Sequence, residues 1–417
     1  MRFVHAADVH LDSPLRGLAT YDGAPLDAMR GATRRALENL VALAIDEKAE
    51  LMVLAGDLFD GDWRDYATGL FFASQMSRLR EAGVTVVFAR GNHDAESRIS
   101  RSLTMPSNVI ELSSQRPETQ RLERLGVAVH GQGFAERAVT RDLAAAYPAA
   151  VPGVFNIGVL HTSLTGREGH AAYAPTTVTM LESRGYDYWA LGHVHAREVV
   201  SRAPWIVFPG NLQGRHAREV GAKGATLVTV EDGVIASVEA RAVDAVRWTV
   251  CTVDVAAASD PHDAVEQVRW ALEREARDAE GRPLAARVVL VGATRAHEAL
   301  VRDEGRWSAE LRRTATDIGA DVWVEKIRMQ TRALVDASAL AARDDAIGQL
   351  ARALAALADD DEASASVFSE IDEVWSKLPA ELREGEDALR LDDPETRRAV
   401  LNDVAESLLP RLLGGDS

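Results

Sequence analysis

The sequence predicts an α/β protein in its first half, and three observations carry that reading. Short apolar runs alternate with apolar positions at helical spacing through the first ninety or so residues. A strand-rich stretch follows Ser113. The last eighty or so residues have a helical period and are strongly acidic. At 417 residues the chain exceeds one ordinary core, so two or three domains are expected.

The elements follow in order. Arg2–Ala7 is a short apolar strand, and Leu37, Leu40, Val41, Ala44 and Ile45 mark a helix. Leu51–Ala55 reads as a buried strand, Leu70–Leu79 as a helix and Val84–Ala89 as a third strand. This βαβαβ order implies a sheet covered by helices. Further strands are expected at Val127–Val129, Phe155–Leu160, Asp187–Leu191 and Trp205–Phe208. Ala225–Val230 and Val234–Val238 flank Glu231-Asp232-Gly233, a hairpin signal. A first domain therefore spans 1–243.

A small α+β domain is expected over 247–331. It has strands at Thr249–Val255, Arg287–Val291 and Val322–Ile327, with one polar helix before the last. Asp260-Pro261 reads as an N-cap and first-turn proline, and Val265, Val268, Leu272 and Ala276 give that helix an apolar face. Residues 336–417 are expected to be an acidic helical region. Leu340, Ile347, Leu350, Leu354 and Leu357 fall on heptad positions, interrupted by Arg343 and weakened by Gly348. Phe368, Ile371, Val374, Trp375 and Leu378 mark a second helix, and Leu401, Val404, Leu408 and Leu412 a third starting at Asp393-Pro394. Asp359-Asp360-Asp361-Glu362 reads as a solvated linker.

The formal net charge is −17, which argues against coating nucleic acid by bulk electrostatics. Residues 336–417 hold 20 acidic against 8 basic side chains, leaving only −5 on residues 1–335. The single cysteine, Cys251, excludes an intrachain disulfide and reads as a small apolar strand residue. No run spans a bilayer and the N-terminus lacks a signal pattern, so a soluble cytoplasmic protein is expected.

Chemistry concentrates in five strings at or just past predicted strands: Asp8-Val9-His10, Gly56-Asp57-Leu58-Phe59-Asp60, Gly91-Asn92-His93-Asp94, His161 and Gly192-His193-Val194-His195. In open α/β sheets ligands bind at carboxyl ends of strands. By strand parity, residues two apart point to one side, so Asp8 with His10 and His193 with His195 are expected to converge. Carboxylate, imidazole and amide donors suit Mn²⁺, Fe²⁺ or Zn²⁺, and Asp57 can bridge two ions. Two such ions can clamp a phosphate and activate water. His93 is then available as a general acid, with Asp60 holding its tautomer.

These motifs resemble the calcineurin-like metallophosphoesterase superfamily, and within it the SbcD-type DNA repair nucleases. The strings His5-Ala6-Ala7-Asp8-Val9-His10-Leu11-Asp12-Ser13-Pro14, Tyr186-Asp187-Tyr188-Trp189-Ala190-Leu191-Gly192-His193-Val194-His195 and Pro209-Gly210-Asn211-Leu212-Gln213-Gly214-Arg215-His216 are similar to the YhaO-type branch. The resemblance covers about residues 1–240. It implies a four-layer αββα fold with two central sheets, followed by a small α+β capping domain and the helical acidic region. It implies one metal held by Asp8, His10, Asp57 and His195, another by Asp57, Asn92, His161 and His193, and a catalytic pair of His93 and Asp60. It further implies a homodimer, a partner SMC-like ABC ATPase of the SbcC/YhaN type bound through the tail, and DNA as substrate, with Mn²⁺ as cofactor. The rival readings are a nucleotide or small-molecule phosphodiesterase and a DNA-tethering scaffold subunit.

Arg90, Arg215 and His216 are candidate substrate contacts, and Arg34, Arg35, Arg98, Arg101 and Arg218 could extend a phosphate path. Asp94 is either a partner of the site or a turn cap. Asp12 either orients His10 or caps its loop. His5, facing away from His10, reads as buried beside the site or in the core, and His130, His170, His262 and His297 as ordinary structural residues. The Leu340–Leu357 stripe either grips a partner helix or packs on its own domain.

Overall fold

A computed structural model describes residues 1–13, 31–60, 66–96, 104–165, 173–319, 321–334, 337–371, 375, 377, 391 and 393–414. Two compact units result: Met1–Val250 with Arg274–Arg287 and Gly319–Glu325, and Cys251–Glu273 with Val288–Ile318 and Lys326–Ser417. In chain order the first strands are β1 (Arg2–Ala6), β2 (Leu51–Leu54), β3 (Thr85–Phe88), β4 (Val109–Glu111), β5 (Glu118–Leu122), β6 (Val127–Gly131), β7 (Phe155–His161), β8 (Tyr188–Gly192), β9 (Glu198–Arg202), β10 (Trp205–Phe208), β11 (Gly224–Glu231) and β12 (Val234–Ala242). The helices among them are α1 (Ala32–Asp46), α2 (Tyr66–Glu81), α3 (Asn92–Glu96) and α4 (Val178–Ser183).

The strands build two six-stranded sheets, ordered β12-β11-β1-β2-β3-β4 and β5-β6-β7-β8-β10-β9. β1 to β4 are parallel, as are β6, β7, β8 and β10, while β11, β12, β5 and β9 are antiparallel additions at the edges. Phe3, Val53, Val87, Val129, Ile157, Tyr188 and Val228 fill the space between the sheets. The outer face of the first sheet packs Val4, Leu54 and Phe88 against Leu37, Leu40, Phe72 and Met76 of α1 and α2. Trp189, Leu191 and Phe208 meet Leu181 of α4 on the outer face of the second. The order is therefore helix, sheet, sheet, helix. Burial on both faces explains why β1, β2, β7 and β8 are continuous apolar runs.

His5 crosses the middle layer. It is fully buried, with Nδ1 2.9 Å from the Tyr188 hydroxyl and Nε2 3.1 Å from the Leu191 carbonyl, so it ties β1 to β8. The β11–β12 hairpin turns at Asp232 (φ 49°) and Gly233 (φ 79°), the left-handed pair that an Asp-Gly turn accommodates.

A third sheet, ordered β13-β14-β15, comprises β13 (Arg247–Asp254), β14 (Leu284–Thr294) and β15 (Val322–Ala333). Asp260 caps α5 (Pro261–Asp278), accepting from the His262 and Asp263 backbone N–H groups at 2.8 and 3.1 Å. The single polar helix expected before β15 is two helices, α6 (His297–Arg302) and α7 (Glu304–Ile318), because Asp303 leaves helical geometry (φ −129°, ψ 50°).

The tail contains α8 (Ala337–Ala341), α9 (Ala346–Asp359), α10 (Asp361–Ser369) and α11 (Pro394–Gly414). The heptad stripe is not one helix: it breaks before Asp345, whose side chain caps α9 by accepting from the Gly348 N–H at 2.9 Å. Its Leu340, Ile347, Leu350 and Leu354 pack with Ala405 and Leu409 of α11, and Leu357 with Leu401, so the stripe is used within the chain. The acidic run expected as a linker is a helix boundary instead. Asp360 caps α10 through the Glu362 and Ala363 N–H groups at 3.0 and 2.9 Å. Val374 and Leu378 lie outside the described residues. Among the described residues no helix is long and apolar enough to cross a membrane.

Candidate metal centre

The carboxyl ends of β1, β2, β7 and β8 open onto one place, and the five strings meet there. Strand parity does not bring them together. Asp8 and His10 lie beyond β1, and His193 and His195 beyond β8. Asp8, His10, Asp57 and His193 have φ values of 50°, 44°, 54° and 102°, a left-handed conformation uncommon for non-glycine residues. Such strain persists only where the surroundings over-determine it. Here the loops are laced: Asp8 N–H donates to the Gly56 carbonyl at 3.0 Å, His10 N–H to Asp57 at 3.0 Å, and Leu11 N–H to Leu58 at 2.9 Å. The His193 N–H donates to both Asp8 oxygens at 2.9 and 3.2 Å, and the His93 N–H to Asp57 Oδ1 at 2.9 Å. Gly91 permits a close approach, since a β-carbon there would collide with Asp57 Oδ1 and the Asp57 backbone nitrogen.

Asp8, His10, Asp57, Asn92, His161 and His193 are all buried, and His195 is half-buried. Ligand atoms of Asp8, His10 and His195 lie within 4.8 Å of one another, as do those of Asp8, Asp57 and His161. His161 donates Nδ1–H to the Ala55 carbonyl at 2.9 Å, which turns Nε2 into the site. That atom faces Asn92 Oδ1 at 2.9 Å and Asp57 Oδ2 at 3.4 Å, two oxygens that a proton or a cation between them would satisfy. His10 Nε2 meets His195 Nε2 at 3.3 Å, and His10 Nδ1 is buried, 3.7 Å from Asp60 Oδ1. Acceptor atoms turned toward each other in this way fit cations between them. The same electrostatics act on protons: burial disfavours a charged His161, yet Asp57 and Asp8 push it up to about 9.

His93 stands beside this cluster, its Nδ1 3.0 Å from Asp60 Oδ1 and its side chain 32% exposed. Burial opposes the charged ring, but the Asp60 hydrogen bond and the Asp57 charge hold it above the ordinary histidine value. Asp60 sits far below the usual carboxylate range; burial works against this, and the His10, His93 and Ser13 contacts overcome it. Ser13 Oγ donates to Asp60 Oδ2 at 2.7 Å.

The substrate candidates separate. Arg215 reaches the site, with Nη1 3.4 Å from Ser13 Oγ. His216 is exposed, its Nε2 3.8 Å from Glu219. Arg90 is paired with Glu111 at 2.6 Å. Arg34 is bound to Asp12, which also accepts from Thr68 Oγ1 at 2.7 Å, so Asp12 docks α1 and α2 on the loop rather than touching His10. Asp94 is a cap, accepting from the Phe59 and Gly91 N–H groups at 3.0 Å each. Arg98, Arg101 and His170 lie outside the described residues. Two neighbours of the site escape a reading of the sequence, Ser13 and Glu219. Glu219 Oε1 is 2.7 Å from His195 Nδ1. Its only trace in sequence is the Arg-His-Ala-Arg-Glu run after a strand, where attention falls on the basic residues.

Residues 1–197 match the calcineurin-like phosphoesterase family, and residues 248–332 match the middle domain of metallophosphoesterase YhaO. The chain is 36% identical over 296 residues to the metallophosphoesterase YhaO of Bacillus subtilis, covering 70% of this chain and 72% of that one. It is 29% identical over 237 residues to the DNA double-strand break repair protein Mre11 of Methanopyrus kandleri, covering 51% of this chain and 48% of the relative. The chain thus spans about half of that archaeal protein. Among solved structures, a dimetal phosphatase from Danio rerio aligns with 12% identity and a TM-score of 0.34, over 56% of this chain and 93% of that one.

Proposed function

Because the chain belongs to the calcineurin-like metallophosphoesterase family, we propose that it is a bimetal-dependent nuclease that hydrolyses phosphodiester bonds in DNA. The observation that carries phosphoester hydrolysis is the half-exposed His93–Asp60 pair at 3.0 Å beside a buried cluster of carboxylate, amide and imidazole donors. Asp8, His10, Asp57 and His195 would hold one ion, and Asp57, Asn92, His161 and His193 the other. The mixed oxygen and nitrogen donors favour Mn²⁺, with Fe²⁺ or Zn²⁺ as alternatives. When bound, two such ions supply Lewis acidity toward the phosphate and lower the pKa of an attacking water.

The chain's own residues do the rest. Asp60 accepts from His93 Nδ1–H, which leaves Nε2 to carry the transferable proton. His93 protonates the leaving oxygen, and the Asp60 carboxylate stabilises its charged form until then. Arg215, beside Ser13 and Asp60, is suited to a phosphate oxygen as a planar donor. His216 and Arg218 are exposed on the same loop, where a phosphate backbone could reach them.

DNA as the substrate is supported by the likeness to a protein named for double-strand break repair and by the additional domain over residues 248–332. Assembly as a homodimer with an SMC-like ABC ATPase belongs to the same proposal. With the heptad stripe packed internally, the exposed Val404, Leu408 and Leu412 of α11, at four-residue spacing, are the apolar residues of the tail offered for that partner. The test is purified protein with Mn²⁺ on linear and nicked DNA, cyclic dinucleotides and bis(p-nitrophenyl) phosphate, with and without the ATPase. Cleavage of DNA is expected. A chain that spares all DNA even with the ATPase, yet hydrolyses the small esters, would overturn the nuclease reading.

A further inference from the structure

We propose that Glu219 is the positioning residue of the metal centre, fixing His195 at one end and seating Arg215 beside the His93–Asp60 pair at the other. The inference rests on the metallophosphoesterase reading and extends it to a residue outside the ligand set.

Glu219 lies on the loop between β10 and β11, and its side chain is only 6% exposed. A buried carboxylate is costly unless it is paired and hydrogen-bonded. Its partners are specific. Oε1 is 2.7 Å from His195 Nδ1 and 3.3 Å from Arg215 Nη2, and Oε2 accepts the Arg215 backbone N–H at 2.7 Å.

An ionised carboxylate can only accept, so His195 must donate through Nδ1–H. Its Nε2 is then the lone-pair atom, and this atom lies 3.3 Å from His10 Nε2 and 3.8 Å from Asp8 Oδ1. His195 is also 22% exposed, whereas His161 and His10 are held at 0% and 1%. It is therefore a ligand with weaker support from packing, and a hydrogen bond must supply its orientation. A carboxylate behind a ligating imidazole does this while raising the ring's basicity.

The other end of the network leads to the proton donor. Arg215 Nη1 approaches Ser13 Oγ at 3.4 Å, Ser13 donates to Asp60 Oδ2 at 2.7 Å, and Asp60 Oδ1 holds His93 at 3.0 Å. One carboxylate thus contacts both a metal ligand and the arginine that reaches Ser13, itself bound to Asp60.

The experiment is Mn²⁺ titration of the metal-free full-length chain, followed by electron paramagnetic resonance and calorimetry without substrate. In Glu219→Gln one of two Mn²⁺ is expected to bind roughly 10–100-fold more weakly while the other keeps its affinity. Glu219→Asp, which retains the charge, should recover part of the loss. Arg215→Gln should leave Mn²⁺ binding intact and raise KM for bis(p-nitrophenyl) phosphate. Long-range ¹⁵N–¹H spectra of the wild-type Zn²⁺-loaded protein, with His195 assigned by His195→Gln, should show the Nδ1–H tautomer. Unchanged affinity for both ions in Glu219→Gln, or an Nε2–H tautomer, would overturn the proposal. The metal titration uses no nucleic acid, so failure of the DNA assay alone leaves it standing. A wild-type chain that takes up no Mn²⁺ overturns both.

Discussion

Acid titration of His5 tests the packing of the two sheets directly. Burial holds His5 down at about 3, from an ordinary value of 6.5, with the Leu191 carbonyl contact acting in the opposite direction. The folded protein therefore keeps this ring neutral where an unfolded chain would protonate it. The unfolded state binds more protons below pH 6.5, so stability falls as pH falls through that value and keeps falling until about 3. A tenfold difference in proton affinity between the two states is worth about 1.4 kcal/mol. The effect approaches roughly 5 kcal/mol below pH 3, and about 2 kcal/mol is already lost between pH 7 and 5. His5→Gln keeps a donor for Leu191 but cannot titrate. Urea unfolding of both chains in chelator, at closely spaced pH values from 7 to 4.5, isolates this contribution. The gap between variant and wild type should move in favour of the variant by about 2 kcal/mol from pH 7 to 5. Parallel curves would refute the reasoning, because His5 would then titrate alike folded and unfolded.

His93→Ala should lower kcat by about 10²–10⁴ with both ions retained, read by turnover of bis(p-nitrophenyl) phosphate and by metal analysis; loss of an ion would move His93 among the ligands. Gly91→Ala should leave the far-ultraviolet spectrum unchanged but weaken Mn²⁺ binding, because the new β-carbon collides with Asp57 Oδ1 and displaces the carboxylate. Asp94→Ala strips acceptors from two buried N–H groups and should cost about 2–4 kcal/mol in urea unfolding, with Asn recovering part of it.

The apolar strands of both sheets were legible because central strands buried on two faces leave continuous runs such as Leu51–Leu54 and Tyr188–Gly192. The edge strands β4, β5 and β9 were not. They are short and only partly buried, and Glu118–Leu122 and Glu198–Arg202 carry too many polar residues to show a period. In the tail, the heptad pattern correctly marked apolar positions but not their breaks, which Asp345 and Asp360 set by capping.

For the site, sequence alone determined the residue types and the grouping of Asp8, His10, Asp57, Asn92, His93, His161, His193 and His195 into strings at strand ends, because donor chemistry and strand order are local properties. Tertiary structure decided how they converge. Left-handed loops laced by backbone hydrogen bonds, rather than strand parity, turn Asp8, His10, Asp57 and His193 toward one space. It also decided which charges are taken up elsewhere, binding Arg34 to Asp12 and Arg90 to Glu111. Only the fold brings Glu219 within 2.7 Å of His195, since that contact joins two loops on either side of β9 and β10 and depends on how those strands pair.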